Sequence, residues 1–482
     1  MSALDREFWP LAAGLGSAAG EIEVLAPWDR QPIARVATAG PPAVEAALAR
    51  AAALHADRDG WLPVPRRIAV LEALHALLDE HRELLAVEAA REGGKPLPDS
   101  QVEVARAMDC AQIAIEELRT RPGTMIPMGV TASSAGRLAF TRPEPIGPVV
   151  AVSAFNHPLN LIAHQVLPAV AVGAPVLVKP ARATPLSCLR LLALLEQAGL
   201  PEGWATVVIP EDNTLATRMV ADPRVAFFSF IGSAKVGFAL QRELAPGCRS
   251  ALEHGGVAPV IVAADADLPR VLPGLVKGGF YHAGQVCVSV QRIYVARERA
   301  EELCAGLVEG ARGLRVGDPT HADTEVGPLI EPGERERVAE WVEEAIAAGA
   351  QCLCGGERIG ATAYAPTVLL DPPDSARVSR EEVFGPVVCV YPVDDLEAAL
   401  ARANQLEVSF QAAVCTQDLD RALDLAQRLK AQAVMVNDHT AFRVDWMPFG
   451  GQQRSGYGLG GIPYSMHEMQ VHKMIVLHSP AL

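Results

Sequence analysis

Between residues 148 and 254, short apolar runs alternate with helix-length segments, and no other feature restricts the possible folds of this chain as much. Pro148 to Ser153, Ala174 to Val178, Ala205 to Ile209 and Val225 to Phe230 read as buried strands. Residues 158–171, 184–198, 214–221 and 233–245 lie between and after them, each long enough for a helix. Parallel neighbours require a crossover, and a helical crossover covers the sheet face, so this pattern predicts a parallel, doubly wound α/β sheet. Such sheets hold nucleotide-type ligands at the carboxyl ends of their strands. The alternation continues less evenly from Glu253 to about 437, enough for a second α/β lobe.

Residues 41–119 have helical spacing. Pro41-Pro42 opens one helix, where a missing N–H removes nothing, and Arg66 to Arg91 reads as a single run stopped by Gly93-Gly94-Lys95-Pro96. Residues 121–144, rich in Thr, Ser, Gly and Pro, predict an extended arm or hairpin. Residues 438–464 read as loop, and Lys473 to Leu477 as a terminal strand. The length of 482 residues suggests about three domain-sized units.

Acidic residues outnumber basic ones, 57 to 42, and the formal charge of −15 disfavours nucleic acid or an anionic membrane as partner. The opening MSALDREFWP is unlike an export signal, and the apolar stretch Leu161 to Val178 is interrupted by His164, Gln165, Pro168 and Pro175. No membrane span and a cytoplasmic location are therefore expected. The nine cysteines include no CxxC pair, and Cys352 and Cys354 are too close for a zinc knuckle, so no metal site is expected.

Two glycine motifs mislead. Gly456, Gly458 and Gly461 spell GxGxxG but lack the strand, helix and βαβ context of a dinucleotide fingerprint, and read as a flexible loop. Gly93-Gly94-Lys95 is followed by Pro96 where a phosphate loop needs Ser or Thr. A dinucleotide site must use another device.

Four segments carry residues suited to chemistry. In Ala154-Phe155-Asn156-His157-Pro158, the Asn caps the following helix or serves a site. Lys179 follows a buried strand in a chain with six lysines and 36 arginines; it covers a sheet end or holds a ribose or phosphate. Glu253 stands between a strand and the Gly255-Gly256 turn, and Cys287 lies in the non-periodic stretch FYHAGQVCVSVQR. By themselves these two read more readily as a turn acid and a core thiol than as catalytic groups.

FNHPLN, VLVKPARATP, FIGSAKVG, LEHGG, GQVC, EEVFGPV and MPFGGQQRSGYG, in that order, resemble the aldehyde dehydrogenase superfamily across essentially the whole chain, including the 34-residue interval from Glu253 to Cys287. The resemblance implies two doubly wound parallel α/β domains plus a β oligomerisation arm. Residues 1–125 and 145–254 would bind NAD(P), 255–455 would form the catalytic domain with the nucleophile, and 126–144 and 456–482 the arm and C-terminal segment. It implies Cys287 as nucleophile, Glu253 as the base that activates water, and Asn156 as an oxyanion donor. Lys179, Glu382, Phe384, Ser153 and the helix start at Gly232-Ser233 would hold NAD or NADP. The pairing of arms implies a homodimer or homotetramer.

Several positions depart from the family pattern. Arg182 replaces a Glu found in many NAD-preferring relatives, so NADP is expected to be accepted unless the side chain points to solvent. Phe155 replaces a Trp. His157 and His254 are unusual beside their motifs. Arg106 and Arg443 resemble positions used by branches acting on lactaldehyde, glyceraldehyde phosphates or phosphonoaldehydes, whereas Val286 stands where some phosphate-handling relatives carry Arg. The expected substrate is a small polar aldehyde. Retention of Glu253 argues against transfer of the acyl group to CoA, and the Lys179 and Glu382 motifs argue against a cysteine hydrolase using His254 or His282.

Overall fold

The computed structural model describes residues 8–482; the first seven positions of the stretch read as unlike an export signal lie outside the described residues. The predicted strands form at β1 (Val149–Val152), β2 (Val176–Lys179), β3 (Ala205–Val207), β4 (Phe227–Ile231) and β5 (Arg249–Glu253). They pair in parallel in the order β3-β2-β1-β4-β5. Strand order reverses between β1 and β4, which opens a crevice at their carboxyl ends. Val149, Val150, Val176, Val178 and Phe228 have no exposed surface, as expected of strands covered on both faces.

The second lobe is a seven-stranded sheet of β6 (Pro259–Val262), β7 (Arg292–Ala296), β8 (Gln351–Cys354), β9 (Thr367–Leu370), β10 (Val387–Val393), β11 (Gln411–Cys415) and β12 (Ala433–Val436). Its order is β8-β9-β10-β7-β6-β11-β12, and β8 alone runs antiparallel.

Four helices matter to the site: α1 (Leu97–Thr120), α2 (Asn160–Val172), α3 (Ala234–Arg242) and α4 (Leu268–Phe280). The helical run expected from Arg66 to Arg91 is two helices, Val64–Glu80 and Arg82–Gly93, because His81 at φ −101° and ψ 15° leaves helical geometry between them. Among the described residues no helix is long and apolar enough to cross a membrane.

Arg137–Pro145 pairs antiparallel with Gln470–His478 along its whole length, and with Met125–Ile126 on its other side. Residues 438–464 are mostly loop, yet the GxGxxG stretch is not a free one. Gly456–Tyr457 forms β13, which adds antiparallel to β5. A Cβ at Gly456 would lie 2.2 Å from the Leu252 carbonyl oxygen, so glycine is required by close backbone packing and not by a phosphate.

Candidate active site

A cleft of about 470 Å³ lies where the two lobes meet, at the carboxyl ends of β1, β2, β4 and β5. Its wall includes Cys287, Glu253, Asn156, Lys179, Glu382, Ser233, Gly232, Phe384 and Ser153, together with Arg106, Arg443, His157 and Val286. Sequence positions 106 to 443 therefore converge on one cavity.

Cys287 is presented by a strained turn. After α4 the chain passes through His282 and Ala283 in the left-handed region, at φ 49° and 54°. Gly284 follows at φ 69°, where a Cβ would lie 2.0 Å from the Gly385 carbonyl oxygen. Gln285 locks the turn: its Nε2 donates to the carbonyls of His282 and Pro328 at 3.3 and 3.1 Å, and its Oε1 accepts from Ile330 N at 3.0 Å. Asn156 Nδ2 donates to the Gln285 carbonyl at 2.8 Å, which fixes the amide beside the nucleophile segment and leaves one N–H free. Val286, Val288, Phe410 and Phe449 form the apolar packing around the thiol.

The electrostatics of the cleft favour neutral acids. Burial pushes the Cys287 thiol up to about 12; the charge of Arg443 opposes this, and Glu382 and Glu253 reinforce it. Burial raises Glu253 to about 7 against the same arginine. Gly460 makes room for that carboxyl, since a Cβ there would fall 1.9 Å from Glu253 Oε1. Burial also raises Glu382, to about 8, opposed by the Gly256 backbone and Arg337.

The groups suited to a dinucleotide are free to take one. Glu382 Oε1 and Ser153 Oγ are buried without a hydrogen-bond partner. Ser233 is the N-cap of α3, yet its hydroxyl makes no cap hydrogen bond. Lys179 ends β2, and burial lowers its ammonium from the usual range, with Arg182 adding to the effect. Phe155 meets Phe384 edge-on at 5.8 Å. These donors and acceptors fit the hydroxyls and phosphates of NAD or NADP. Arg182 itself is turned away from the cleft. Its Nη1 donates to the carbonyls of Pro210 and Glu211 at 3.1 and 3.0 Å, and Ala181 lines the wall in its place.

At the other end, His157 Nε2 lies 3.1 Å from the Tyr281 hydroxyl, and burial pushes its ring well below the usual histidine range. His254 lies on the dinucleotide side instead: its Nδ1 is 3.0 Å from the Arg454 carbonyl oxygen, and its Nε2 faces Gly237 of α3 with no hydrogen-bond partner among the described residues. Arg106 and Arg443 both reach the cavity, and both meet a network that sequence reasoning missed, built on Asp445 and His164. Gln291 was missed as well. It accepts from Val383 N at 3.0 Å and donates to the Val378 and Glu381 carbonyls at 3.0 and 2.7 Å, which holds the Glu382 loop against the start of β7. The one available signal was a pair of glutamines bracketing Cys287 in an otherwise apolar stretch.

This fold and cleft define a nucleotide-dependent enzyme. The sequence profile of the aldehyde dehydrogenase family matches residues 15–475, and the chain belongs to that family. It is 37% identical over 460 residues to a 3-sulfolactaldehyde dehydrogenase of Priestia aryabhattai, covering 95% of each chain. Among solved structures it resembles aldehyde dehydrogenase 21 from Physcomitrella patens in complex with the product succinate. The TM-score is 0.93 at 34% identity, covering 98% of each chain. It also resembles a glyceraldehyde-3-phosphate dehydrogenase from Methanocaldococcus jannaschii complexed with NADP, with TM-score 0.90, 34% identity and 95% and 99% coverage. The reaction class is oxidation of an aldehyde to a carboxylic acid with NAD or NADP as acceptor.

Proposed function

We propose that Cys287, Glu253 and Asn156 carry this oxidation, and that the substrate is a small aldehyde bearing an anionic group. The observation that supports it most is their convergence in one cleft with the free polar groups of Lys179, Ser233 and Glu382. The Cys287 thiol gives its proton to the Glu253 carboxylate, which passes it to solvent, and the sulfur bonds to the aldehyde carbon as the carbonyl electron pair moves to oxygen, forming an anionic thiohemiacetal. The free N–H of Asn156 and the Cys287 backbone N–H hold the oxygen as charge develops; one such donor is typically worth about 2.7–4 kcal/mol. Bound NAD or NADP supplies the hydride acceptor. Loss of hydride leaves a thioester on Cys287. Glu253 then takes a proton from water, the oxygen adds to the thioester carbon, and the acid departs as the sulfur leaves.

Lys179, Glu382, Ser233, Gly232, Phe384 and Ser153 form the dinucleotide wall. No carboxylate follows Lys179 where a 2′-phosphate would be repelled, which supports acceptance of NADP as well as NAD, although Arg182 would have to leave its backbone carbonyls to help. Arg443 and Arg106 hold the anionic end of the substrate, with His157 and Val286 on the same wall. The relative that is a 3-sulfolactaldehyde dehydrogenase and the one solved with its product succinate support that choice. Residues 1–125 with 145–254 act as the cofactor domain and 255–455 as the catalytic domain. Residues 126–144 with 456–482 form the arm of a homodimer or homotetramer working in the cytoplasm.

The test is to follow reduced nicotinamide by absorbance with neutral, hydroxylated and anionic aldehydes and each cofactor. Wild type is expected to turn over and Cys287→Ala to be inactive. Failure of every aldehyde with both cofactors rejects the proposal.

A further inference from the structure

The wall that holds the anionic end contains one more charge than its two arginines. Asp445, 2% exposed, lies between Arg106 and His164. Arg106 donates Nε–H to Oδ2 at 3.1 Å and Nη2–H to Oδ1 at 2.6 Å, and His164 Nε2 lies 2.7 Å from Oδ1. Burial would raise the Asp445 carboxyl, yet its hydrogen bonds with His164 and Arg106 hold it well below the usual carboxylate range. Burial and the Arg443 charge push His164 down to about 4. With Nδ1 accepting from Arg443 Nη2 at 3.4 Å, the imidazole is neutral and donates its Nε2–H to Asp445.

Arg443 is placed differently from Arg106. Among the described residues it makes no ion pair, and its Nε is buried without a partner. Its guanidinium carbon stacks 3.5 Å from the centre of the Phe449 ring. Two guanidiniums, one carboxylate and a neutral ring leave this corner with a single positive charge while Glu253, which also faces Arg443, is protonated. Cys110, His164 and Asp445 also present ligand atoms within 4.8 Å of one another. However, the thiol is turned to Asn160 Oδ1 at 3.6 Å and the carboxylate is held by the Arg106 fork. A dication there would lie beside two guanidiniums.

We propose that Asp445 determines specificity: by pairing with Arg106 it leaves Arg443 as the one guanidinium of this wall outside an ion pair and selects a monoanionic aldehyde, carboxylate or sulfonate, over a phosphate dianion. This rests on the reading of Arg443 and Arg106 as the anion-binding wall. A monoanion there is balanced, whereas a dianion leaves a buried negative charge without a partner, which low-dielectric surroundings penalise. Removing the Asp445 charge adds one unit of positive potential, and a dianion gains more from it than a monoanion.

The experiment measures kcat and KM for 3-sulfolactaldehyde, glyceraldehyde 3-phosphate and lactaldehyde with wild type, Asp445→Asn and Asp445→Glu. Wild type is expected to prefer the sulfonate. Asp445→Asn should move the ratio of kcat/KM toward the phosphate by about tenfold or more, mainly through KM, relative to both the sulfonate and lactaldehyde. Asp445→Glu also disturbs packing but keeps the charge, and should retain the wild-type ratio. If Asp445→Asn does not fold, the wild-type ratio and Arg443→Gln decide, the latter being expected to lose the preference for sulfolactaldehyde over lactaldehyde. The proposal is overturned by a wild type that prefers the phosphate, by an Asp445→Asn ratio that stays put or moves the other way, or by Arg443→Gln with unchanged preference. Oxidation of none of the three aldehydes would instead reject the functional reading beneath it.

Discussion

Cys287 and Glu253 share one proton problem. With the thiol pushed up to about 12 and the carboxyl to about 7, sulfur is protonated at neutral pH and Glu253 is the group poised to exchange. A base raised to about 7 works only when ionised, so kcat is expected to rise with pH through a single ionisation near that value. Glu253→Gln should flatten the profile and lower kcat by about 10²–10⁴-fold; a wild-type profile already flat from pH 5 to 9 (roughly the range where such a base titrates) would remove Glu253 from the role. Gly460→Ala tests its placement. The added Cβ meets the far end of the Glu253 side chain, so the carboxyl shifts while the fold holds. A fall in kcat of about tenfold or more is expected, with the melting temperature within a few degrees of wild type. At this scale the convergence of Cys287, Glu253 and Asn156 on one cleft was legible because each sits in a short motif of distinctive residues. Asp445 and His164 were not, since their partners lie 339 and 281 positions away in the chain.

The position of Asn156 depends on how α2 begins. Glu103 of α1 accepts the N–H groups of Leu159 and Asn160 at 2.9 and 2.8 Å, so a carboxylate from another helix satisfies donors at the start of α2. Lys95, fully buried, pairs with the same carboxylate. Glu103→Gln would leave that ammonium buried without a counter-charge, and breaking such a pair typically costs about 3–5 kcal/mol. A clear drop in melting temperature is expected by differential scanning calorimetry, and an unchanged melt would contradict the assignment. The strands and helices of residues 148–254 fell close to their sequence-based positions because their apolar runs are continuous and their crossovers short. The break at His81 was missed because apolar spacing continues across it; the interruption lies in backbone angles that periodicity does not register.

At the scale of the molecule, the arm leaves an unfinished sheet. Among the described residues Gln470–His478 pairs on one side only, and Met474, Val476 and Leu477 are exposed along it. A long open edge with apolar side chains is a template for a second strand. The chain is expected to run as a dimer or tetramer by light scattering, and a doubly charged variant, Met474→Lys with Val476→Lys, as a smaller species. A wild type that is monomeric at micromolar concentration would contradict this.

The sequence by itself determined the reaction. Cys287, Glu253 and Asn156 are set by strand ends and tight turns, and those are governed by neighbours in the chain. Even the failure of GxGxxG as a phosphate cradle was legible, because the motif lacked its strand and helix. What the loop does instead, packing Gly456 on β5 and Gly460 on Glu253, appeared only in three dimensions. Tertiary structure also decided the charge of the proposed substrate wall. Arg106 and Arg443 look alike as residues, but one is paired with Asp445 and the other lies over Phe449 with no ion pair among the described residues. Net charge at a site depends on which groups lie within a few ångströms of one another, and a linear order of residues does not contain that distance.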